Sequence, residues 1–136
     1  MRYLAIDYGT KRTGLAICDP TETIVSPLAA LATAKGLISR ILEIIHSENV
    51  GAIVLGLPLN MDGTSGSQSK IVNDFAENLK KLVSIPIFFQ DERLTSFAAE
   101  GKLVERELTR KKKKSRIDAL AAAEILQAFL DSKQSK

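Results

Sequence analysis

Four acidic residues stand where apolar runs of the sequence end or a helical pattern begins. Asp7 closes the run YLAI, Asp91 and Glu92 follow IPIFFQ, and Asp118 opens the pattern IDALAAAEILQAFL. An ionised carboxylate at the end of a buried strand needs a partner or a metal, although Asp7 is also suited to hydrogen-bond the backbone of the following turn. Neighbours in an extended chain point to opposite faces, so at most one of Asp91 and Glu92 faces Asp7. Clustered carboxylates are hard oxygen ligands that suit Mg²⁺ or Mn²⁺ together with water and phosphate oxygens. Two such ions activate an attacking water and steady a leaving oxygen in phosphodiester cleavage. That chemistry needs acids and no histidine. The one histidine, His46, falls within a helical pattern, and Cys18 lies in an apolar run where packing is its natural role.

Around the acids stand groups suited to phosphate. Thr10, Lys11 and Arg12 follow Asp7 in the segment YGTKRT, and Asn60 precedes the Gly/Ser-rich segment MDGTSGSQS. Side chains and backbone N–H groups in such loops hold phosphate oxygens. Gly9 and Gly14 are read as turn residues that let the chain take positive φ. Arg93 is placed to bind phosphate or to pin Glu92.

The elements that must position these residues follow from apolar patterning. Residues 2–7 and 13–19 are short apolar runs joined by a polar, Gly-containing turn, the signature of a hairpin. TIVSPLAAL continues the meander, with Pro27 marking an edge position or a bulge. From Lys35 to Glu48 the apolar residues Leu37, Ile38, Ile41, Leu42, Ile44 and Ile45 recur at helical spacing. GAIVLGLPLN then reads as a strand buried on both faces and parallel to the first. Ile71, Val72, Phe75, Ala76, Leu79 and Leu82 define a second helix, SIPIFFQ a fifth strand, and Thr95 or Ser96 caps a third helix through Leu108. The basic run interrupts the apolar pattern before the last helix. For that helix Ser115 is the expected N-cap, with Asp118 completing a capping pair in the first turn.

The order βββαβαβαα predicts an α/β fold: a five-stranded mixed sheet, an antiparallel meander followed by parallel strands, flanked by helices on both faces. In such sheets ligands gather at the carboxyl ends of the parallel strands, so Asp7, GLPLN and DER are expected to converge there. Residues 1–136 are read as a single domain, in keeping with a chain of 136 residues that is 45% hydrophobic.

Charge divides unevenly. Residues 110–136 hold eight of the 19 Lys and Arg but three of the 16 acids, so the net +3 conceals a basic segment on a slightly acidic remainder. The run Arg110, Lys111, Lys112, Lys113, Lys114 and Arg116 suits a polyanion, and these lysines with Arg116 join the candidate nucleic-acid contacts. A single cysteine excludes an internal disulfide and fits a reducing compartment. No export signal or membrane-length apolar run is seen, and a cytoplasmic protein without membrane contact is expected.

The segments IDYGTKRTGLAICD, GLPLNMDGTSGSQS, DERLTS and IDALAAAEILQAFL, in this order, resemble the YqgF family of Holliday-junction-resolvase-like proteins, also described as nucleases for pre-16S ribosomal RNA. The resemblance implies an RNase H-like fold, hydrolysis of phosphodiester bonds with divalent metal, and maturation of the 5′ end of 16S ribosomal RNA. It places the family's first-strand acid on Asp7, its DER motif on Asp91, Glu92 and Arg93, and its last-helix acid on Asp118. Asp7, Glu92 and Asp118 are therefore the expected catalytic metal ligands. RNase H-like enzymes commonly carry an acid at the end of the fourth strand, where this chain has GLPLN, so Glu92 would substitute from the next strand.

Two other readings share these residues. DYGTKRTG also resembles the phosphate loop of the actin, heat-shock chaperone and sugar-kinase superfamily, which closes nucleotide between two such domains. A non-catalytic RNA-binding or transcription-elongation factor would keep the fold and use the basic run. The expected partner is a ribosomal RNA precursor or branched DNA, bound by a monomer or a weak homodimer. Few aromatic residues, 5% of the chain, favour recognition of backbone shape over base stacking.

Overall fold

A computed structural model describes residues 1–58, 66–91 and 110–134, with side chains described for 117–133 in the last segment. The expected third helix over 95–108 lies outside the described residues. The strands are β1 (Tyr3–Tyr8), β2 (Arg12–Cys18), β3 (Val25–Ala32), β4 (Ala52–Leu57) and β5 (Ile87–Asp91). Three helices join them: α1 (Leu37–Ser47), α2 (Ser67–Lys80) and α3 (Arg110–Gln134). The sheet order is β3-β2-β1-β4-β5, with β1–β2 and β2–β3 antiparallel and β1–β4 and β4–β5 parallel. This is the predicted mixed sheet.

Side-chain alternation explains the layering. Along β1, Leu4 and Ile6 pack with Leu15, Ile53, Leu55, Ile41, Val72, Phe75 and Leu79, which places α1 and α2 on that face. Tyr3 and Ala5 instead pack with Ala16, Ala52, Val54, Ala122, Ile125 and Leu126, which places α3 on the other. Both faces of β1 and β4 are covered, as continuous apolar runs require.

Pro27 is accommodated in two ways at once. β3 is an edge strand, and its pairing with β2 shifts register between Leu15 and Ala16, which face Ala29 and Pro27. The extra residue, Leu28, is a bulge residue on the exposed side of the sheet. α1 starts at Leu37, two residues later than Lys35, because Gly36 turns the chain at φ 97, a conformation natural to glycine.

Three local readings are corrected. Ser115 is not an N-cap: α3 begins at Arg110, so the basic run is helical backbone and Asp118 lies in the third turn. Lys and Arg are good helix formers, and apolar periodicity is blind to a helical stretch made of charged residues. Gly9 and Gly14 do not take positive φ. They are small because a β-carbon at Gly9 would strike the Arg12 carbonyl, and one at Gly14 the Asp118 carbonyl. Ile71 and Leu82 are exposed, Leu82 because α2 ends at Lys80.

Polar contacts tie the ends of α2 and α3 to the sheet. In α2, buried Ser69 donates its hydroxyl to the Pro58 carbonyl at 2.7 Å, fixing the helix start to the end of β4. The Lys133 ammonium of α3 donates to Tyr3 Oη at 2.7 Å and to Glu22 at 2.8 Å. Lys133 and the N-terminal ammonium beside Glu22 lower the Glu22 pKa, and the bonds to Glu22 and Tyr3 raise that of Lys133. Among the described residues no helix is long and apolar enough to cross a membrane.

Candidate active site

The carboxyl ends of β1, β4 and β5 lie on one edge, with Leu57 paired to Asp91 and Ile6 to Leu55. Two candidate acids share a face here. Asp7 alternates with Tyr3 and Ala5 and so looks toward α3, and its cross-strand partner on β2 is Gly14. Directly over Gly14 runs the backbone of α3 at Asp118: a β-carbon at Gly14 would meet the Asp118 carbonyl oxygen and carbon and, at 3.1 Å, the Ala119 nitrogen. Antiparallel partners have Cα atoms about 4.5–5.5 Å apart. The contact at Gly14 therefore sets Asp118, 111 positions later in the chain, one strand away from Asp7.

The helix approaches this closely because the residues between it and the sheet are small. Ala5, Ala16 and Ala52 on the strands meet Ala122 and Ala123 on α3. At the far end, Tyr3, Phe88 and Phe129 fill the wider gap, with Tyr3 and Phe129 edge to face at 5.2 Å and Phe88 and Phe129 at 5.5 Å.

Arg12 joins the pair. Two residues before Gly14 on the same strand face, it donates Nε to Asp118 Oδ2 at 2.6 Å, across 106 positions. Both side chains remain partly solvated, Arg12 at 37% and Asp118 at 24% of full exposure. The sequence reading assigned Arg12 to phosphate and missed this ion pair, for which no local signal exists.

Asp91 belongs elsewhere. Its register partner Leu57 packs with the α1/α2 core, as does Ile87 four residues earlier on β5, so Asp91 lies on the face opposite Asp7. On that face Tyr8, the last residue of β1, stacks on Phe75 of α2 with ring centroids 4.2 Å apart.

Thr10 and Lys11 are exposed in the β1–β2 turn, where the Lys11 carbonyl accepts the Thr33 amide at 2.9 Å. Thr13, buried behind them, shares a 2.7 Å hydroxyl hydrogen bond with Thr33 and anchors the turn to the end of β3. Lys111, Lys112, Lys113, Lys114 and Arg116 fall on the first two turns of α3, upstream of Asp118 on the same helix. Asn60, Glu92 and Arg93 lie outside the described residues. His46 is exposed on α1, and buried Cys18 accepts the Tyr3 amide while burial raises its thiol pKa.

Among the described residues no group of three or more His, Cys, Asp or Glu is placed to hold a metal. Asp7 and Asp118 alone supply two hard oxygen donors on one face, which fits a divalent cation that keeps several waters.

Comparison with known proteins agrees with this architecture. The family profile of RuvX, Holliday junction resolvase, matches residues 1–132. A relative from Roseiflexus named "Putative pre-16S rRNA nuclease" is 42% identical over 98% of this chain and 96% of its own length. One of the same name from Thermoanaerobacter pseudethanolicus is 44% identical over the full length of both. Among solved structures, Thermus thermophilus RuvC in complex with Holliday junction substrate aligns over 98% of this chain and 96% of its own, with TM-score 0.59 and 16% identity. Fowlpox virus resolvase with Holliday junction DNA aligns over 98% and 99%, with TM-score 0.60 and 12% identity. The five-stranded sheet is therefore the RNase H-like fold of the resolvases, and the chain belongs to the RuvX family of Holliday-junction-resolvase-like nucleases.

Proposed function

We propose that this chain hydrolyses phosphodiester bonds at the 5′ end of pre-16S ribosomal RNA in the cytoplasm. In this reading Asp7, Asp118 and Glu92 are the carboxylates that hold Mg²⁺ or Mn²⁺. The observation that carries it is the seating of Asp118 over Gly14, beside Asp7, by a helix packed on small residues. Glu92 is kept as the third ligand because Asp91, its neighbour, lies on the face away from Asp7. When bound, the metal supplies a nucleophilic water and charge compensation at the scissile phosphate.

The protein groups divide the remaining work. Asp7 is held in the ladder by pairing with Gly14 of β2, one residue beyond the last β1–β4 pair at Ile6, which sets its backbone at the strand edge. Asp118 is held by helix packing and by Arg12. Thr10 and Lys11 on the exposed turn, with Asn60 and Arg93, contact backbone phosphates close to the cut. The lysines at 111–114 and Arg116 carry the duplex or loop farther away, adding sequence-independent, salt-sensitive affinity.

The substrate assignment rests on the names of relatives that share over 40% of their residues with this chain. A four-way DNA junction is the rival substrate, favoured by the family's resolvase description. A cleavage assay with precursor 16S RNA and a four-way junction, at the same Mn²⁺ and salt, separates them. Preferential cleavage of the RNA near the mature 5′ end is expected. Preferential, symmetric cutting of the junction would overturn the assignment to RNA, and cleavage of neither would favour the non-catalytic binding reading.

A further inference from the structure

Arg12 has two claims on it. Its guanidinium is bonded to the Asp118 carboxylate through Nε, yet it stands at the start of β2, at the solvent-facing end of the turn that carries Thr10 and Lys11. With 37% of its side chain exposed, it has open directions for its remaining N–H donors, and a guanidinium offers five in a rigid fork that matches phosphate as well as carboxylate. Asp118 in turn is a carboxylate beside a second carboxylate, and Arg12 is the cation bonded to it here.

We propose that Arg12 exchanges between Asp118 and a nucleic-acid phosphate, so that metal and nucleic acid each strengthen the binding of the other. This rests on the metal-ligand reading of Asp7 and Asp118. A divalent cation on Asp118 neutralises the same carboxylate that Arg12 neutralises in its absence, and so weakens the hold on the guanidinium. Released, Arg12 need only swing about its own side chain to reach a phosphate at the strand edge. A phosphate that draws Arg12 away removes its compensation of Asp118 and raises the affinity of that carboxylate for the cation. Linkage requires the two effects to be equal. Arg12 is thus a positioning residue for Asp118 in the free protein and a substrate contact in the complex.

The test uses the full chain and reads binding, not cleavage. Mn²⁺ is titrated by the electron paramagnetic resonance signal of the free ion, with and without an RNA hairpin carrying phosphorothioate linkages throughout. Wild type should bind Mn²⁺ about fivefold or more tightly with the hairpin present, a coupling of ordinary allosteric size. Arg12→Gln should bind Mn²⁺ alone about two- to fivefold more tightly than wild type, the range for losing a competing solvated ion pair, and the hairpin should improve it by less than it improves wild type. Arg12→Lys, which keeps the charge without the fork, should restore part of the coupling and serves if Arg12→Gln does not fold. An Arg12→Gln protein that binds Mn²⁺ no more tightly than wild type and retains the coupling overturns the exchange. Mn²⁺ binding that survives both Asp7→Asn and Asp118→Asn instead overturns the metal reading beneath it.

Discussion

The two faces of the sheet are built from different residues for different ends. The α1/α2 face is filled by Leu4, Ile6, Leu15, Ile41, Ile53, Leu55, Phe75 and Leu79, large side chains that hold the helices away from the strands. Across the sheet, Ala5, Ala16, Ala52, Ala122 and Gly14 let α3 lie close enough for its backbone to touch a strand. Each large side chain buried on the first face contributes to stability through the apolar area it removes from water. The second gives up some of that area in return for a fixed position of Asp118 over the strand beside Asp7. Stability and placement of the candidate site are thus largely separated between the two sides of one sheet.

That division predicts unequal consequences. Leu79→Ala, at a fully buried position on the α1/α2 face, should cost about 2–5 kcal/mol in denaturant unfolding. Nuclease activity per folded molecule should be unchanged, as measured by cleavage under conditions where the variant is fully native. Gly14→Ala on the other face should cost less stability, about 1–3 kcal/mol. The added methyl must push the Asp118 backbone away, so this variant should lose cleavage and Mn²⁺ binding while keeping its circular dichroism. Equal loss of activity in both variants would erase the distinction between the faces.

A smaller effect, outside both cores, comes from acid. Asp19 accepts the Ile24 and Thr23 amides at 2.7 and 2.8 Å as well as the Thr21 and Thr23 hydroxyls. The Ile24 amide is the largest cause of its depressed pKa, followed by the Thr21 hydroxyl. A folded pKa below the unfolded value, about 3.9 for Asp, stabilises the protein above that value, and the contribution is lost as pH falls through the folded pKa. The thermal unfolding temperature of wild type should therefore fall as pH drops below about 4, and Asp19→Asn should be less stable at neutral pH with a flatter acid limb. A parallel acid limb in the variant would remove Asp19 from the account.

How much of this was legible in the sequence depended on distance along the chain. The five strands stood out as short apolar runs, and Pro27 marked an edge position or a bulge, of which β3 has both. Asp7 was legible as an acid at a strand end and Asp118 as one at the start of an apolar helical pattern, although the helix itself starts earlier. Their meeting was implied by the family resemblance and by no residue pattern, because it depends on Gly14, whose smallness was read as turn geometry when its cause is the helix above it. The Arg12 to Asp118 pair leaves no local pattern at all. The start of α3 was misplaced for a different reason: a helical stretch written in Lys and Arg has no apolar periodicity to announce it, and Ser115 offered a false cap. Face alternation at Asp91 could be read only once the register with Leu57 was known.

The central claim is that Asp7 is a metal ligand whose carboxylate drives phosphodiester cleavage. Its most direct test is Mn²⁺-dependent cleavage of a structured precursor RNA by Asp7→Asn, purified free of contaminating nuclease and checked for native circular dichroism. The account predicts a folded protein with cleavage abolished, whereas cleavage at the wild-type rate by that variant would contradict it.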